Sequence, residues 1–199
     1  MIAMANKQID YKNLLINTSS IIVLVVGAII LMPTFKAISP MFVDSVMGSS
    51  DRYETRFIPS EAMLPTLQVN DKILIDKQAY KDKLPKRGDL ILFNPTETLI
   101  ENGYTAAFIE RVIGLPGETI EIKDGNVYIN GNAIAEDYIL EPPKYSFPLT
   151  KIPAASYFVL GDNRNNSYDS HYWGYVPQEL IIGKTVSIYY PPSRVRDFD

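Results

Sequence analysis

One uncharged segment near the N-terminus constrains this chain more than any other feature of its sequence. No charged residue lies between Lys12 and Lys36, and residues 21–32 are apolar apart from Gly27. At about 1.5 Å per residue, a helix over residues 13–35 is roughly 34 Å long, which is enough to cross a lipid bilayer with some tilt. The segment therefore predicts a membrane anchor.

Two other interpretations of this segment are a cleavable signal peptide and a helix buried in a globular core. Ala37 and Ser39 offer the small residues that a cleavage site needs, but Pro40 would then occupy the first mature position, where its ring disfavours cleavage. We therefore predict that the anchor is retained. The lysines that precede it favour a cytoplasmic N-terminus over residues 1–12, which places the rest of the chain on the periplasmic or lumenal side.

The sequence beyond the anchor predicts a mostly β protein. Residues 36–55 are a mixed stretch of small and polar residues that we interpret as a juxtamembrane linker, and residues 56–199 form the predicted β domain. No helical apolar period is sustained in that domain, so we expect antiparallel sheets, either two packed together or partly coiled. The expected strands are short runs of branched aliphatic and aromatic residues at Lys72–Asp76, Asp89–Phe93, Tyr157–Leu160 and Leu180–Tyr190.

Residues 118–158 are predicted to form a subdomain rich in β-hairpins. Apolar and polar residues alternate over Thr119–Ile129 around Asp124-Gly125, a pair that supplies the positive φ angles of a tight hairpin. Asn130-Gly131 offers a second turn of the same kind. Residues 140–153 are rich in proline, and we predict an irregular loop there that runs over the surface.

The composition excludes several classes of function. The 199 residues carry a net charge of -4 and no cysteine, so thiolate and disulfide chemistry are ruled out, and no basic excess indicates nucleic-acid binding. The single histidine, His171, argues against a Ser-His-Asp triad and against a histidine-rich metal site. We therefore predict no nucleic-acid partner, no metal and no cofactor.

Three blocks of sequence carry the functional signal. Phe57–Leu67 reads FIPSEAMLPTL and Phe108–Glu118 reads FIERVIGLPGE; each alone is typical of an extended segment that enters a proline-containing turn. Leu160–Gly174 reads LGDNRNNSYDSHYWG, and so dense a polar cluster between apolar strands is costly unless its groups hydrogen-bond one another. We therefore expect residues 163–170 to form an ordered, inward-facing loop whose charged side chains satisfy one another and nearby backbone.

In this order, and behind an N-terminal anchor, the three blocks resemble signal peptidase I. The resemblance covers residues 20–192, and the third block is most similar to the cyanobacterial and plastid branch of that family. It implies a β domain that cleaves signal peptides from exported proteins on the outer or lumenal membrane face, with a serine nucleophile and a neutral lysine base. Asn165 and His171, where the family often has Asp and Arg, are departures that this branch shares.

The resemblance also implies a role for single residues, and the two that would carry the chemistry differ from the family. Ala62 stands at the position of the nucleophilic serine, and Glu110 stands at that of the lysine base. Ser60 matches the serine that helps to form the oxyanion hole, Ser167 the serine that orients the lysine, and Asp169 the carboxylate that braces that loop. The residues that match substrate contacts are Ile58, Pro59, Met63 and Pro65.

These two replacements predict a loss of hydrolysis. Alanine has no nucleophilic atom, and a glutamate in the apolar setting that keeps the family's lysine neutral would itself be protonated and non-basic. If it were ionised, its charge would oppose the negative charge that develops in an oxyanion hole. Three other routes remain, which are attack by Ser60, activation of a water molecule by Glu110 and attack by Thr66, and none is favoured. Thr66 lies too far along the chain, beyond Pro65.

We therefore predict a membrane-anchored signal peptidase homologue that binds peptides, or acts as an accessory or assembly subunit, without hydrolysis. Its partners would be signal peptides or membrane-protein segments, the lipid bilayer and a larger membrane complex, at the plasma or thylakoid membrane. One alternative is an active signal peptidase I, or an inactivated mutant of one. Another is a purely structural subunit whose groove is closed.

Overall fold

The computed structural model describes residues 51–198 of the chain. The predicted anchor at residues 13–35 and most of the predicted linker at residues 36–55 lie outside the described residues and stay predictions. Within residues 51–198, no helix has the length and apolar character to cross a membrane.

Residues 51–198 form twelve β-strands and two short α-helices. In chain order, the strands are β1 (Tyr53–Phe57), β2 (Lys72–Asp76), β3 (Leu90–Phe93), β4 (Phe108–Gly114), β5 (Thr119–Lys123), β6 (Asn126–Ile129), β7 (Asn132–Ala133), β8 (Phe147–Lys151), β9 (Ser156–Leu160), β10 (Val176–Pro177), β11 (Ile181–Tyr190) and β12 (Arg196–Asp197). The helices are α1 (Glu97–Glu101) and α2 (Ser170–Trp173), and short 3₁₀ turns occupy Gln178–Leu180 and Pro192–Arg194.

The strands form two antiparallel sheets. The larger has the order β1-β2-β11-β3-β4-β9-β10, with β12 paired to β11, and the smaller has the order β7-β6-β5-β8. This arrangement confirms the prediction of a mostly β, antiparallel domain. The first strand begins at Tyr53, within the stretch interpreted from sequence as a linker, so regular β structure starts before residue 56.

Burial on both faces explains the unbroken apolar run of β3. Leu90 and Leu92 pack in one hydrophobic cluster, whereas Ile91 and Phe93 pack in a second cluster on the opposite face of the sheet. Because alternate residues of a strand point to opposite faces, a strand with two covered faces needs apolar residues throughout. The strand is one residue shorter than the predicted Asp89–Phe93.

The small sheet contains both hairpin turns that the sequence indicated. Asp124 and Gly125 connect β5 to β6 with φ angles of 50° and 75°. Asn130 and Gly131 connect β6 to β7 with φ angles of 50° and 78°. Both predictions are confirmed, because two consecutive positive φ values are what a tight two-residue hairpin requires.

The prediction of an irregular loop over residues 140–153 is wrong in its second half. Phe147–Lys151 is the strand β8, which pairs with β5. Pro148 is tolerated because β8 lies at the edge of the small sheet, where one side of the strand needs no hydrogen-bonding partner. Ile152, directly after the strand, is fully buried in the apolar cluster of this sheet.

Three segments of the chain meet on one side of the large sheet. The first is the turn segment between β1 and β2, which is fixed at its base by hydrogen bonds between Ile58 N and Asp71 O (2.9 Å) and between Asn70 N and Ile58 O (3.0 Å). The second is β4 itself, in which Glu110 lies opposite Ile91 of β3. The third is the loop over residues 161–169 that links β9 to α2.

Candidate functional site

The three sequence blocks meet at a cavity of about 640 Å³. Its walls come from residues 58–63, residues 106–110 and residues 165–168, together with Tyr104 and Tyr172. The turn segment between β1 and β2, the strand β4 and the loop over residues 161–169, here called the polar loop, thus each supply one wall, although they are far apart in the chain. The cavity is open to solvent and combines apolar side chains with a few polar groups, which is the usual character of a ligand-binding cleft.

The structure brings together most of the residues that the sequence singled out. Those that line the cavity are Ile58, Pro59, Ser60, Ala62, Met63, Glu110 and Ser167. Pro65 is exposed and lies outside the cavity lining, and Asp169 lies behind the wall, fully buried. The roles assigned to all of these residues stay predictions.

Hydrogen bonds and close packing hold Ala62 against the polar loop. Its carbonyl oxygen accepts a hydrogen bond from the backbone N–H of Asn163 (3.0 Å). The side-chain Nδ2 of Asn163 donates to the carbonyl oxygen of Glu61 (3.1 Å). Gly161 packs so closely that a Cβ at this position would meet Ala62 O at 2.6 Å and would also overlap Ser167. The loop therefore requires glycine at position 161, and the spacing between Ala62 and Ser167 is fixed by the backbone.

Asp169 organises the far end of the same loop. Its carboxylate accepts hydrogen bonds from Gly161 N (3.0 Å) and His171 N (3.2 Å), and it also contacts His171 Nδ1 at 2.6 Å. The bond to His171 N caps α2 at its first turn. This fully buried carboxylate thus connects the start of the loop that carries Ser167 to the first turn of α2.

The charged side chains of the loop are paired, but not with one another as predicted. Asp162 accepts two hydrogen bonds from Arg111 of β4, at 2.7 and 2.6 Å. Arg164 donates two to Glu136, at 2.8 and 2.7 Å. The charged side chains of the loop are buried and bond partly to nearby backbone, as expected, although Asn165 and Asn166 are exposed. The expectation of mutual pairing is wrong, because β4 and the segment before β8 bring in charges of their own.

Glu110 is the exception to this pairing. Its side chain is 2% exposed, its Oε1 accepts only a long hydrogen bond of 3.5 Å from Ser167 Oγ, and its Oε2 has no hydrogen-bonding partner among the described residues. Burial raises the pKa of this carboxyl group well above its ordinary value, and the charges of Asp169 and Asp162 raise it further, against smaller opposing effects of Ser167 and Arg164. Burial and the neighbouring acids therefore favour the protonated, uncharged form of Glu110.

This pKa shift makes a prediction about stability. Because the folded-state pKa lies above the unfolded value, the folded chain holds a proton that the unfolded chain releases, so stability falls as pH rises between the two values. Glu110→Gln removes that titration. We expect the free energy of unfolding of the variant, relative to the unchanged chain, to improve by about 1.4 kcal/mol per pH unit between about pH 4.5 and the folded-state pKa of Glu110, and to stay constant above it.

Denaturation midpoints measured over a series of pH values test this expectation. Glu101→Gln, on the exposed surface of α1, is the matched control and should track the unchanged chain at every pH. A difference between Glu110→Gln and the unchanged chain that stayed constant with pH would show that Glu110 is ionised in the folded protein.

An aromatic wall of the cavity was not anticipated from the sequence. Tyr104 packs against Phe108 (5.6 Å between ring centroids) and Tyr168 (5.4 Å), and Tyr168 packs against Tyr172 (5.3 Å). These residues lie inside or beside the second and third blocks, so their proximity to the motifs was the available signal. No group of three potential metal-ligating side chains occurs within residues 51–198.

Comparisons with known proteins show which families and sequences this chain is similar to. A family model described as signal peptidase, peptidase S26, matches residues 16–190. The chain is 54% identical to signal peptidase I of Leptolyngbya laminosa over 144 residues, which cover 71% of each protein. It is 49% identical to a probable signal peptidase I of Synechocystis over 142 residues, which cover 71% of this chain and 65% of the relative.

Plant and structural relatives extend the comparison. A probable chloroplast thylakoidal processing peptidase of Arabidopsis thaliana is 41% identical over 155 residues, which cover 77% of this chain and 42% of the relative. A solved signal peptidase I from Enterococcus faecalis is 36% identical and matches 51% of this chain and 97% of that one, with a TM-score of 0.44. Cyanobacterial and plastid proteins thus appear together among the relatives, which is the branch that the third block indicated.

Proposed function

The chain belongs to the signal peptidase family S26, and from this premise we propose that it binds peptides in the family's manner without hydrolysing them. In this proposal Ala62 holds the nucleophile position and Glu110 holds the base position. The observation that carries the proposal is the Glu110 carboxyl group, which is buried in the wall of the cavity that Ala62 also lines. In the proposal, a carboxyl group whose protonated form is favoured and a methyl group in the same cavity supply neither a general base nor a nucleophile.

The neighbouring hydroxyl groups do not restore the chemistry. Ser60 is exposed at the cavity rim, and the proposal keeps it as an oxyanion partner together with the backbone N–H of residue 62. Ser167 is directed to Glu110, which in its protonated form accepts no further proton. Loss of the nucleophile alone costs a serine protease of another fold on the order of 10⁶ in kcat, so hydrolysis at a useful rate is not expected.

The open cavity supports peptide binding over a purely structural role. Its volume of about 640 Å³ and its apolar walls suit extended chain with small or aliphatic side chains. We propose that the ligands are signal peptides or membrane-protein segments, met at the plasma or thylakoid membrane with the β domain on the periplasmic or lumenal side. Membrane anchoring by residues 13–35, contact with the bilayer and membership of a larger membrane complex belong to the same proposal.

Signal-peptide cleavage is the second candidate function, because the relatives are described as signal peptidases and processing peptidases. In this chain it would require Glu110 to activate a water molecule, with Ser60 and the N–H of residue 62 as oxyanion partners. Burial and the adjacent Asp169 both favour the protonated form of Glu110, which is the wrong state for a general base.

Blocking the cavity tests the binding role. We expect Ala106→Trp, which places a large side chain in the cavity wall, to weaken the binding of a fluorescent peptide with an Ala-x-Ala segment about tenfold or more, a loss of about 1.4 kcal/mol. The control is Ala135→Trp, because Ala135 is equally exposed and lies outside the cavity lining. Equal affinity in both variants would place the peptide elsewhere, and no binding by the unchanged chain would favour the structural-subunit alternative.

A further inference from the structure

We propose that the cavity selects a peptide segment that carries a lysine side chain, and that the lysine ammonium group pairs with the Glu110 carboxylate. This inference rests on the proposed function, because it assumes that a peptide enters the cavity. The inference adds that the cavity prefers a peptide with a positively charged side chain. This preference is argued from the residues of this chain.

The first support is the charge of the cavity wall. Two of its lining residues are acids, Glu61 and Glu110, and none is lysine, arginine or histidine. Glu61 is exposed to solvent, whereas Glu110 is buried and its Oε2 has no partner among residues 51–198. A buried carboxyl oxygen without a partner carries a desolvation cost that a ligand donor would remove.

The second support is that the nearest protein cations are already engaged. Arg111 gives its donors to Asp162, Gly88 O and Thr66 Oγ1. Arg164 gives its donors to Glu136 and to Gly161 O. Neither arginine side chain is therefore hydrogen-bonded to Glu110, and a cationic ligand that enters the cavity does not displace an arginine from this carboxyl group.

The third support is the aromatic wall. Tyr104, Tyr168 and Tyr172 line the same cavity, and the ring of Tyr168 packs in a tilted arrangement against each of the other two. Aromatic rings suit the methylene chain of lysine and attract its cationic end. Ile58 and Met63 supply apolar surface to the same cavity.

The pairing would be linked to the release of one proton. The raised pKa of Glu110 favours its protonated form in the free protein, so an arriving ammonium group displaces a proton to solvent, and affinity for the lysine peptide should rise with pH until Glu110 is ionised in the free protein. The other charged groups near Glu110 are Glu61 at the rim, Asp162 with Arg111, Asp169 with His171, and Arg164 with Glu136. Of these groups, Glu110 is the one that lines the cavity, is buried and has a carboxyl oxygen without a hydrogen-bonding partner among residues 51–198.

Two alanine-rich peptides, identical except for one lysine or one norleucine, provide the test on the full-length chain. We expect the lysine peptide to bind about 10- to 100-fold more tightly at about pH 8, as for a hydrogen bond to a charged group. The preference should fall by about tenfold per unit of pH below the folded-state pKa of Glu110. Affinity for the norleucine peptide should change little over the same range.

Two variants complete the design. Glu110→Gln should lose both the lysine preference and its pH dependence, and a cooperative denaturation transition shows that the variant is folded. Glu101→Gln, which removes an exposed acid outside the cavity lining, should keep both. The measurements on the unchanged chain alone also test the inference, independently of either variant.

The outcomes separate this inference from the proposed function. Equal binding of the two peptides at every pH would overturn the lysine preference and leave peptide binding intact. Tighter binding of both peptides at low pH would show instead that protonated Glu110 donates to a ligand carbonyl group, and would also overturn the inference. Binding of neither peptide would contradict the proposed function, and the lysine preference would fall with it.

Discussion

The double variant Ala62→Ser/Glu110→Lys is expected to cleave a preprotein with an Ala-x-Ala site, whereas the unchanged chain leaves it intact. The variant restores a hydroxyl group at the proposed nucleophile position and an amine at the proposed base position, in a wall whose burial would depress the pKa of the amine. The surrounding groups are already in place, because Ser167 contacts residue 110 and Asp169 braces the loop. The gain should be several orders of magnitude in kcat/KM.

The effect should be strongly non-additive. Ala62→Ser alone has a hydroxyl group without a base, and Glu110→Lys alone has a base without a nucleophile, so both single variants should stay silent. The matched control is Ala106→Ser/Glu110→Lys, which adds a hydroxyl group elsewhere in the same cavity wall. A folded double variant that left the substrate uncut would show that the cavity has diverged beyond positions 62 and 110.

Glu136→Ala is expected to destabilise the protein by about 3–5 kcal/mol. Arg164 is fully buried and makes its ion pair with Glu136 at 2.7 Å, so removing the carboxylate leaves an uncompensated charge in the protein interior. Because Arg164 lies in the polar loop, the same variant should also loosen the wall that carries Ser167. Chemical denaturation monitored by tryptophan fluorescence measures the change, since the single tryptophan, Trp173, is largely buried in α2.

Glu141→Ala is the control for this prediction. Glu141 also forms an ion pair of 2.7 Å, with Lys144, but both side chains are substantially exposed. Surface pairs contribute little, so we expect no measurable loss of stability. Equal effects of the two substitutions would mean that the Arg164 pair is no more important to the fold than a solvated one.

The sequence predicted well those features of the fold that depend on neighbouring residues in the chain. Asp124-Gly125 and Asn130-Gly131 determine their hairpins through their own backbone preferences, and the apolar runs of β2 and β3 determine strands through their immediate neighbours. The three motif blocks likewise identified the cavity, because each is a short continuous segment that forms one wall. These features need no information about distant parts of the chain.

Long-range pairing is what the sequence could not provide. Arg164 finds its partner 28 residues away, and Arg111 finds Asp162 51 residues away, so neither pair leaves a local signal. The strand β8 was missed for a related reason, because its proline content indicates a loop unless its position at a sheet edge is known. The sequence alone identifies Glu110 as an unusual residue for its position. That its Oε2 has no partner among the described residues depends on how the three walls of the cavity meet, which the sequence does not show.

Mass spectrometry of a preprotein incubated with the full-length chain tests the central claim most directly. The claim is that the cavity holds peptides and does not cut them. We expect the preprotein to be recovered intact and to co-purify with the unchanged chain, but not with Ala106→Trp. Release of the mature protein by the unchanged chain, at a rate that falls when Glu110 is replaced by glutamine, would contradict the claim and establish a working peptidase.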